Sequence, residues 1–359
     1  MAAAVKSWVH KCMGSDDPLL WESHLKRHVY GEYSIAIVQA NATIEDQSQV
    51  LVTPSSTLVG VFDGHGGADA ARFVNATLFN NMNERGEVSG EAMRKAFAAT
   101  EEQFFRVVKQ RIGSKPEIAS VGTCCLVGAI SGDTLVVANL GDSRAVLGKR
   151  CVGSRRIAAE RLSTDHNVAA EDVRKEVEAL HPDDKHIVMF IRGVWRIKGI
   201  IQVSRSIGDA YLKKPEIAYE PAVFQTGFHV PIRRPVISSD PSIISRKLKP
   251  QDMFLIFASD GLWEHLSDEE AVEIVATHGR SGISKRLVTV AQKRAASKLE
   301  MRYSELKKVE KGVRRNYHDD ITVVVVYLDH HRHHHFEDTV SPLDIFPLVK
   351  GHVADDDGC

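Results

Sequence analysis

The chain has 359 residues, 43% of them hydrophobic, which is enough to bury a substantial core in one large domain or two small ones; one is expected. Its 46 Lys and Arg against 47 Asp and Glu leave a formal net charge of −1, so there is no electrostatic case for a nucleic-acid or strongly acidic partner. The five cysteines are an odd, scattered set without a C-x-x-C pair, which argues against a disulfide framework and a zinc site and fits a reducing compartment.

Residues 1–9 are too short in apolar residues for a signal peptide, and no later apolar run approaches the roughly 18 residues needed to span a bilayer. A cytoplasmic or nuclear protein is expected. Residues 1–32 mix Trp, His, Lys and Asp without a clear period and read as an N-terminal extension; a first strand of β-branched and aromatic residues is predicted over 33–38. The apolar run 58–62 is stopped by Asp63 and Gly64, after which Ala71, Val74, Leu78 and Met82 carry helical spacing. The Asp63-Gly64-His65-Gly66-Gly67 turn therefore sits between strand and helix, and a second helix is predicted over 91–112. The runs 124–130, 134–140 and 143–147 are separated by connections too short for a crossover helix, which predicts antiparallel neighbours in a meander. An amphipathic helix follows over 167–180 with Asn167 as its cap, then strands over 197–203 and 253–258. Residues 268–311 read as mainly helical and 321–328 as a buried strand. The pattern predicts an α+β domain over 33–329, with helices packed outside two antiparallel sheets. Residues 330–359, opening on His330-His331-Arg332-His333-His334-His335, read as a solvated, mobile tail.

The informative carboxylates are those placed where an apolar run ends, because most others lie on solvated faces. Five places fit: Glu45-Asp46, Asp63-Gly64-His65, Gly141-Asp142, Ser259-Asp260-Gly261 and Asp319-Asp320. Any one of them alone is a turn. Together, converging strand ends would make a rigid all-oxygen site, which suits Mg²⁺ or Mn²⁺ rather than zinc. Asp63 is the natural bridge between two ions, and Gly64 has no Cβ to keep its carbonyl from a metal. Two ions about 4 Å apart can activate a shared water and stabilise phosphoryl oxygens, so no side-chain nucleophile is needed. Neither a G-x-S-x-G elbow nor a cysteine followed by a phosphate-cradling loop is present.

The stretches Val61-Phe62-Asp63-Gly64-His65-Gly66-Gly67, Asn139-Leu140-Gly141-Asp142-Ser143-Arg144, Val203-Ser204-Arg205-Ser206-Ile207-Gly208-Asp209, Ser259-Asp260-Gly261-Leu262-Trp263-Glu264 and Asp319-Asp320-Ile321-Thr322 resemble the protein phosphatase 2C family in order and spacing. The resemblance covers roughly 33–329, and Gly193-Val194-Trp195-Arg196-Ile197-Lys198-Gly199 is similar to a plant subgroup. It implies an αββα sandwich and a serine/threonine phosphatase that depends on two Mg²⁺ or Mn²⁺ ions, with a weaker third. Carried over by motif, Asp63 bridges both metals, the Gly64 carbonyl binds one, and Asp260 and Asp319 bind the other. Glu45 and Asp46 match positions that hold metal-bound waters, and Asp142 matches a ligand of the third metal. His65 matches the general acid for the leaving oxygen, a role that suits an imidazole. Asp320 leaves the assignment of the ligand at 319–320 open, although neighbours in extended backbone point in opposite directions, so one of the two reaches the metal directly.

The resemblance also implies phosphorylated proteins as partners, the plasma-membrane proton pump among them, and admits a regulatory protein and peripheral membrane association. A monomer is expected. Two departures stand out. The family usually carries an Arg where this chain has Asn41, which lacks the charge and the bidentate fork that grip a phosphate. A catalytically weak phosphoprotein-binding decoy is therefore the alternative function. Arg192 stands where the subgroup locked by abscisic-acid receptors has a Trp, so no lock of that type is expected.

Overall fold

The computed structural model describes residues 17–83, 88–154, 156–225, 232–330 and 340–344. One sheet runs in the order Leu20–Glu22, Gly31–Val38, Ile321–Tyr327, Asp252–Ala258, Arg144–Arg150, Ile157–Arg161, with Lys26–His28 also paired to Gly31–Val38. The other runs Ser242–Lys247, Thr134–Leu140, Cys125–Ser131, Ser56–Phe62, Gln47–Val52, Val340–Asp344. Neighbouring strands in both are antiparallel.

The two-residue period of a strand explains why these segments read as nearly continuous apolar runs. Val324 and Val326 face Val59, Val61, Leu126 and Phe257 between the sheets, while Ile321, Val323, Val325 and Tyr327 face outward. That outer face is covered by the helices Asp268–Thr277 and Ile283–Lys298, through Val272, Leu287 and Ala291. On the other sheet Leu58 and Phe62 point away from Val59 and Val61, against Val74, Leu78 and Phe97 of the helices Asp69–Asn83 and Gly90–Arg111. The helix starts are fixed locally: the Ser89 hydroxyl accepts from the Ala92 N–H, and Ser267 with Glu270 forms a capping box. The result is the αββα sandwich.

Several expectations need correction. The three runs after residue 124 do not form one meander: Cys125–Ser131 pairs with Thr134–Leu140, but Arg144–Arg150 belongs to the opposite sheet. The chain changes sheet at Gly141, whose φ of 90° favours glycine, and the buried Asn139 amide donates to the carbonyls of Gly141, Ser143 and Thr164 at 3.2, 3.0 and 2.9 Å. Residues 197–203 are not a strand. A hairpin of Val188–Ile191 and Val194–Ile197 precedes a turn made by the left-handed Lys198 and Gly199, at φ 53° and 73°. Asn167 does not cap the third helix, which spans Glu171–Leu180 and has Ala170 at its cap. Within 1–32, two short strands join the first sheet, and within 330–359 Val340–Asp344 pairs with Gln47–Val52 instead of trailing free. Residues 331–335 of the histidine run lie outside the described residues.

Candidate metal centre

At one end of the sandwich both sheets finish in carboxylates. Asp63 follows Ser56–Phe62, Asp142 lies in the turn where the chain changes sheet, and Asp260 opens the short helix after Asp252–Ala258. Oxygens from Asp63, Asp142 and Asp260 lie within 4.8 Å of one another. Asp63 Oδ2 accepts from the Asp260 backbone N–H at 3.4 Å, and the buried Asp260 Oδ1 has no hydrogen-bond partner among the described residues. Burial, then Asp260, pushes the Asp63 carboxyl well above the ordinary range; burial, then Asp142 and Asp319, does the same to Asp260. Carboxylates this close resist joint ionisation unless a cation sits among them, and an all-oxygen donor set fits Mg²⁺ or Mn²⁺. The turn after Asp63 is packed tightly: a Cβ on Gly64 would meet the Glu45 carbonyl oxygen at 2.6 Å.

Asp319 and Asp320 take opposite environments. Asp320 is buried and accepts three backbone N–H bonds, from Ala40 at 2.7 Å, Asn41 at 3.0 Å and Glu45 at 2.8 Å. It shapes the loop that carries Asn41, Glu45 and Asp46, and both its oxygens are taken up by these bonds. Asp319 accepts from the Asp320 N–H at 2.8 Å and the Asn41 side-chain amide at 3.0 Å, and its Oδ2 pairs with Arg315 at 2.6 Å. Asp46 is buried and accepts from the Ser259 and Thr322 hydroxyls at 2.8 and 2.7 Å, tying its loop to two strand ends. Glu45 is partly exposed; burial, then Asp320 and Asp319, pushes its carboxyl up to about 7.

His65 sits in a miniature sheet in which Gly64–His65 pairs with Gly122–Thr123, and that strand pairs with Ile207–Gly208. The pairing brings His65 Nε2 to 2.8 Å from Oδ2 of the buried Asp209, which also accepts from the Ser206 hydroxyl at 2.6 Å. Burial pulls the imidazole down, but the Asp209 charge and hydrogen bond prevail and leave it above its ordinary value. Sequence reasoning left Asp209 without a role. Its available signal was an acid closing the Ser-Arg-Ser-Ile-Gly-Asp stretch; its partner lies 144 residues away. Two further residues were missed: the Cys124 thiol donates to Asp142 Oδ1 at 3.3 Å, and the Asn167 amide donates to Asp142 Oδ2 at 2.6 Å.

The family model of protein phosphatase 2C matches residues 37–299. The chain is similar to "Probable protein phosphatase 2C 63" of Arabidopsis thaliana, 60% identical over 339 residues, covering 92% of this chain and 89% of that protein. It is similar to "Probable protein phosphatase 2C 78" of Oryza sativa subsp. japonica, 57% identical over 343 residues, covering 92% and 88%. Among solved structures, the serine-threonine phosphatase 2C of Toxoplasma gondii superposes with a TM-score of 0.60 at 17% identity, over 86% of this chain and 99% of that one.

Proposed function

The chain belongs to the protein phosphatase 2C family of metal-dependent serine/threonine phosphatases, and on that premise we propose that it hydrolyses phosphoserine and phosphothreonine in proteins with water activated at a dinuclear Mg²⁺ or Mn²⁺ centre. The observation that carries the reading is the convergence of Asp63, Asp142 and Asp260 within 4.8 Å, together with a buried Asp260 oxygen that has no partner among the described residues. Asp63, the Gly64 carbonyl, Asp260 and Asp319 would hold the two ions, with Asp142 serving a weaker third and Glu45 and Asp46 acting through water. When bound, such ions supply an activated water and neutralise phosphoryl oxygens.

The chain's own residues account for the rest. Asp209 accepts from His65 at Nε2, so the proton to be given to the leaving serine or threonine oxygen is carried at Nδ1. Asp209 thereby orients the ring and favours its protonated form. Asp320 and Asp46 hold the loop and strand ends that present Glu45 and Asp319. The test is phosphate release from a phosphopeptide with Mn²⁺: turnover is expected, lost with chelator and with Asp63→Asn or Asp260→Asn. A decoy, the reading that Asn41 motivates, would bind the phosphopeptide and show no turnover at saturating metal.

The subgroup-like stretch from Gly193 to Gly199 supports the plasma-membrane proton pump as a substrate, reached from the cytoplasm or nucleus by peripheral association. Loss of the protein should raise the phosphorylation of that pump; an unchanged level would overturn this choice of substrate. Arg192 occupies the turn of the hairpin at φ 52°, and inhibition by an abscisic-acid receptor is not expected with this residue in place of a Trp.

A further inference from the structure

Beside the metal ions, a guanidinium of the protein's own would orient a phosphate monoester entering a cluster of carboxylates, and Asn41 cannot supply one. Its amide is already committed, donating to Asp319 Oδ1 at 3.0 Å, and its backbone N–H donates to Asp320. The cations around the site differ in what they have left to offer. Arg144 is largely buried and divided between Asp165 and Asp268. Lys115 lies on Asp69 at 2.8 Å, and Lys298 on the Glu264 carbonyl and His265. Arg315 is half exposed, and among the described residues Asp319 is its single partner.

Its mounting is rigid. The neighbouring Arg314 is fully buried, paired with Asp17 at 2.8 Å and donating to the carbonyls of Val309 and Lys307 at 3.2 and 3.0 Å. The short helix Arg314–Asn316 is thereby fixed to the core, and the next side chain along reaches Asp319 Oδ2 at 2.6 Å. The positive charge of Arg315 opposes the rise in carboxyl pKa at Asp319, Glu45 and Glu264, which lie on three separate segments, while half of its side chain stays open to solvent. A guanidinium has five N–H donors in a planar fork, so a contact to Asp319 leaves donors over.

We propose that Arg315 grips the substrate phosphate, holding Asp319 through Nη2 while its remaining N–H groups donate to phosphoryl oxygens. The task that Asn41 cannot perform is thus carried out from the other side of Asp319. The inference rests on the phosphatase reading above and names the residue that completes it.

The test compares wild type, Arg315→Ala, Arg315→Lys and Arg315→Ala with Asn41→Arg, all at the Mn²⁺ concentration that saturates the wild type. Arg315→Ala should raise both KM for a phosphopeptide and the inhibition constant of inorganic phosphate by about tenfold or more, the size expected for losing a charge-assisted hydrogen bond. The change in kcat should be smaller. Arg315→Lys should fall between, and Asn41→Arg should recover most of the loss by restoring a fork to the same phosphate. Calorimetric binding of inorganic phosphate to the Mn²⁺-loaded proteins should follow the same order without reference to turnover. Unchanged KM and phosphate affinity would overturn the proposal. So would a defect that disappears when Mn²⁺ is raised further, because Arg315 would then act only by holding Asp319. Failure of the phosphatase reading itself would show separately, as absence of metal-dependent turnover in the wild type.

Discussion

His166 is buried, neither of its ring nitrogens has a hydrogen-bond partner among the described residues, and burial, then Arg205, lowers its pKa to about 4. An unfolded chain would titrate it near 6.5, so between these values the unfolded state binds more protons and stability falls as pH falls. The penalty is absent above pH 6.5 and complete below about 4, where it reaches about 3 kcal/mol. His166→Leu should therefore gain stability over wild type progressively through that window and show no such trend above it; urea denaturation at stepped pH measures this. Asp319 and Asp320 make a second comparison at the same scale. Because Asp320 accepts three backbone N–H bonds, Asp320→Asn should cost about 2–3 kcal/mol of stability. Asp319→Asn should instead weaken Mn²⁺ binding, read by calorimetry, with little change in unfolding. The sequence alone could say that these neighbours point apart. It could not say which one the backbone would claim, because that depends on the N–H groups of the 40–45 loop, which are distant in the chain.

The elements most legible in the sequence were those whose period is uninterrupted: Asp69–Asn83, Gly90–Arg111, Asp252–Ala258 and Ile321–Tyr327 all lie close to their predicted positions. What failed was the assignment of strands to sheets. A two-residue link reads as a hairpin, yet at Gly141 the Asn139 side chain takes the bonds that a hairpin ladder would have made. The miniature sheet of Gly64–His65, Gly122–Thr123 and Ile207–Gly208 was equally illegible, because two-residue strands carry no period. It nonetheless builds the pair of His65 and Asp209. A Cβ on Gly122 would fall 2.1 Å from Asp209 Oδ2 and 2.4 Å from His65 Nε2. Gly122→Ala is therefore expected to separate the imidazole from the carboxylate and to lower kcat about 10²-fold, the scale of one general-acid contribution. Mn²⁺ affinity, measured calorimetrically, should stay within about threefold of wild type. Equal loss of both would mean that the miniature sheet supports the metal carboxylates and not the acid.

At the scale of the whole molecule, the two-layer sandwich follows from strand runs apolar on both faces, but its lower edge does not, because the strands Leu20–Glu22 and Lys26–His28 are short and mixed in polarity. What holds this edge is electrostatic. Asp17 accepts from Arg314 at 2.9 and 2.8 Å and from the Gln292 amide at 2.9 Å, and the Asp17 and Arg314 side chains are both 0% exposed. One ion pair thus ties the first described residue to the long helix Ile283–Lys298 and to the turn that leads into Asp319. Removing one partner strands a buried charge, so Asp17→Ala should cost about 3–5 kcal/mol. Replacing both with apolar residues of similar size, Asp17→Leu with Arg314→Met, should cost clearly less than Asp17→Ala, because no charge is left unpaired. A chain starting at residue 33 lacks Asp17 along with both short strands, and should be destabilised at least as much as Asp17→Ala. Urea midpoints for the four proteins check the order: wild type highest, the double replacement next, then Asp17→Ala, then the shortened chain. If the shortened chain unfolded with the wild type, the ion pair would be an ornament of the edge. The expected order makes it the clasp of this edge of the first sheet.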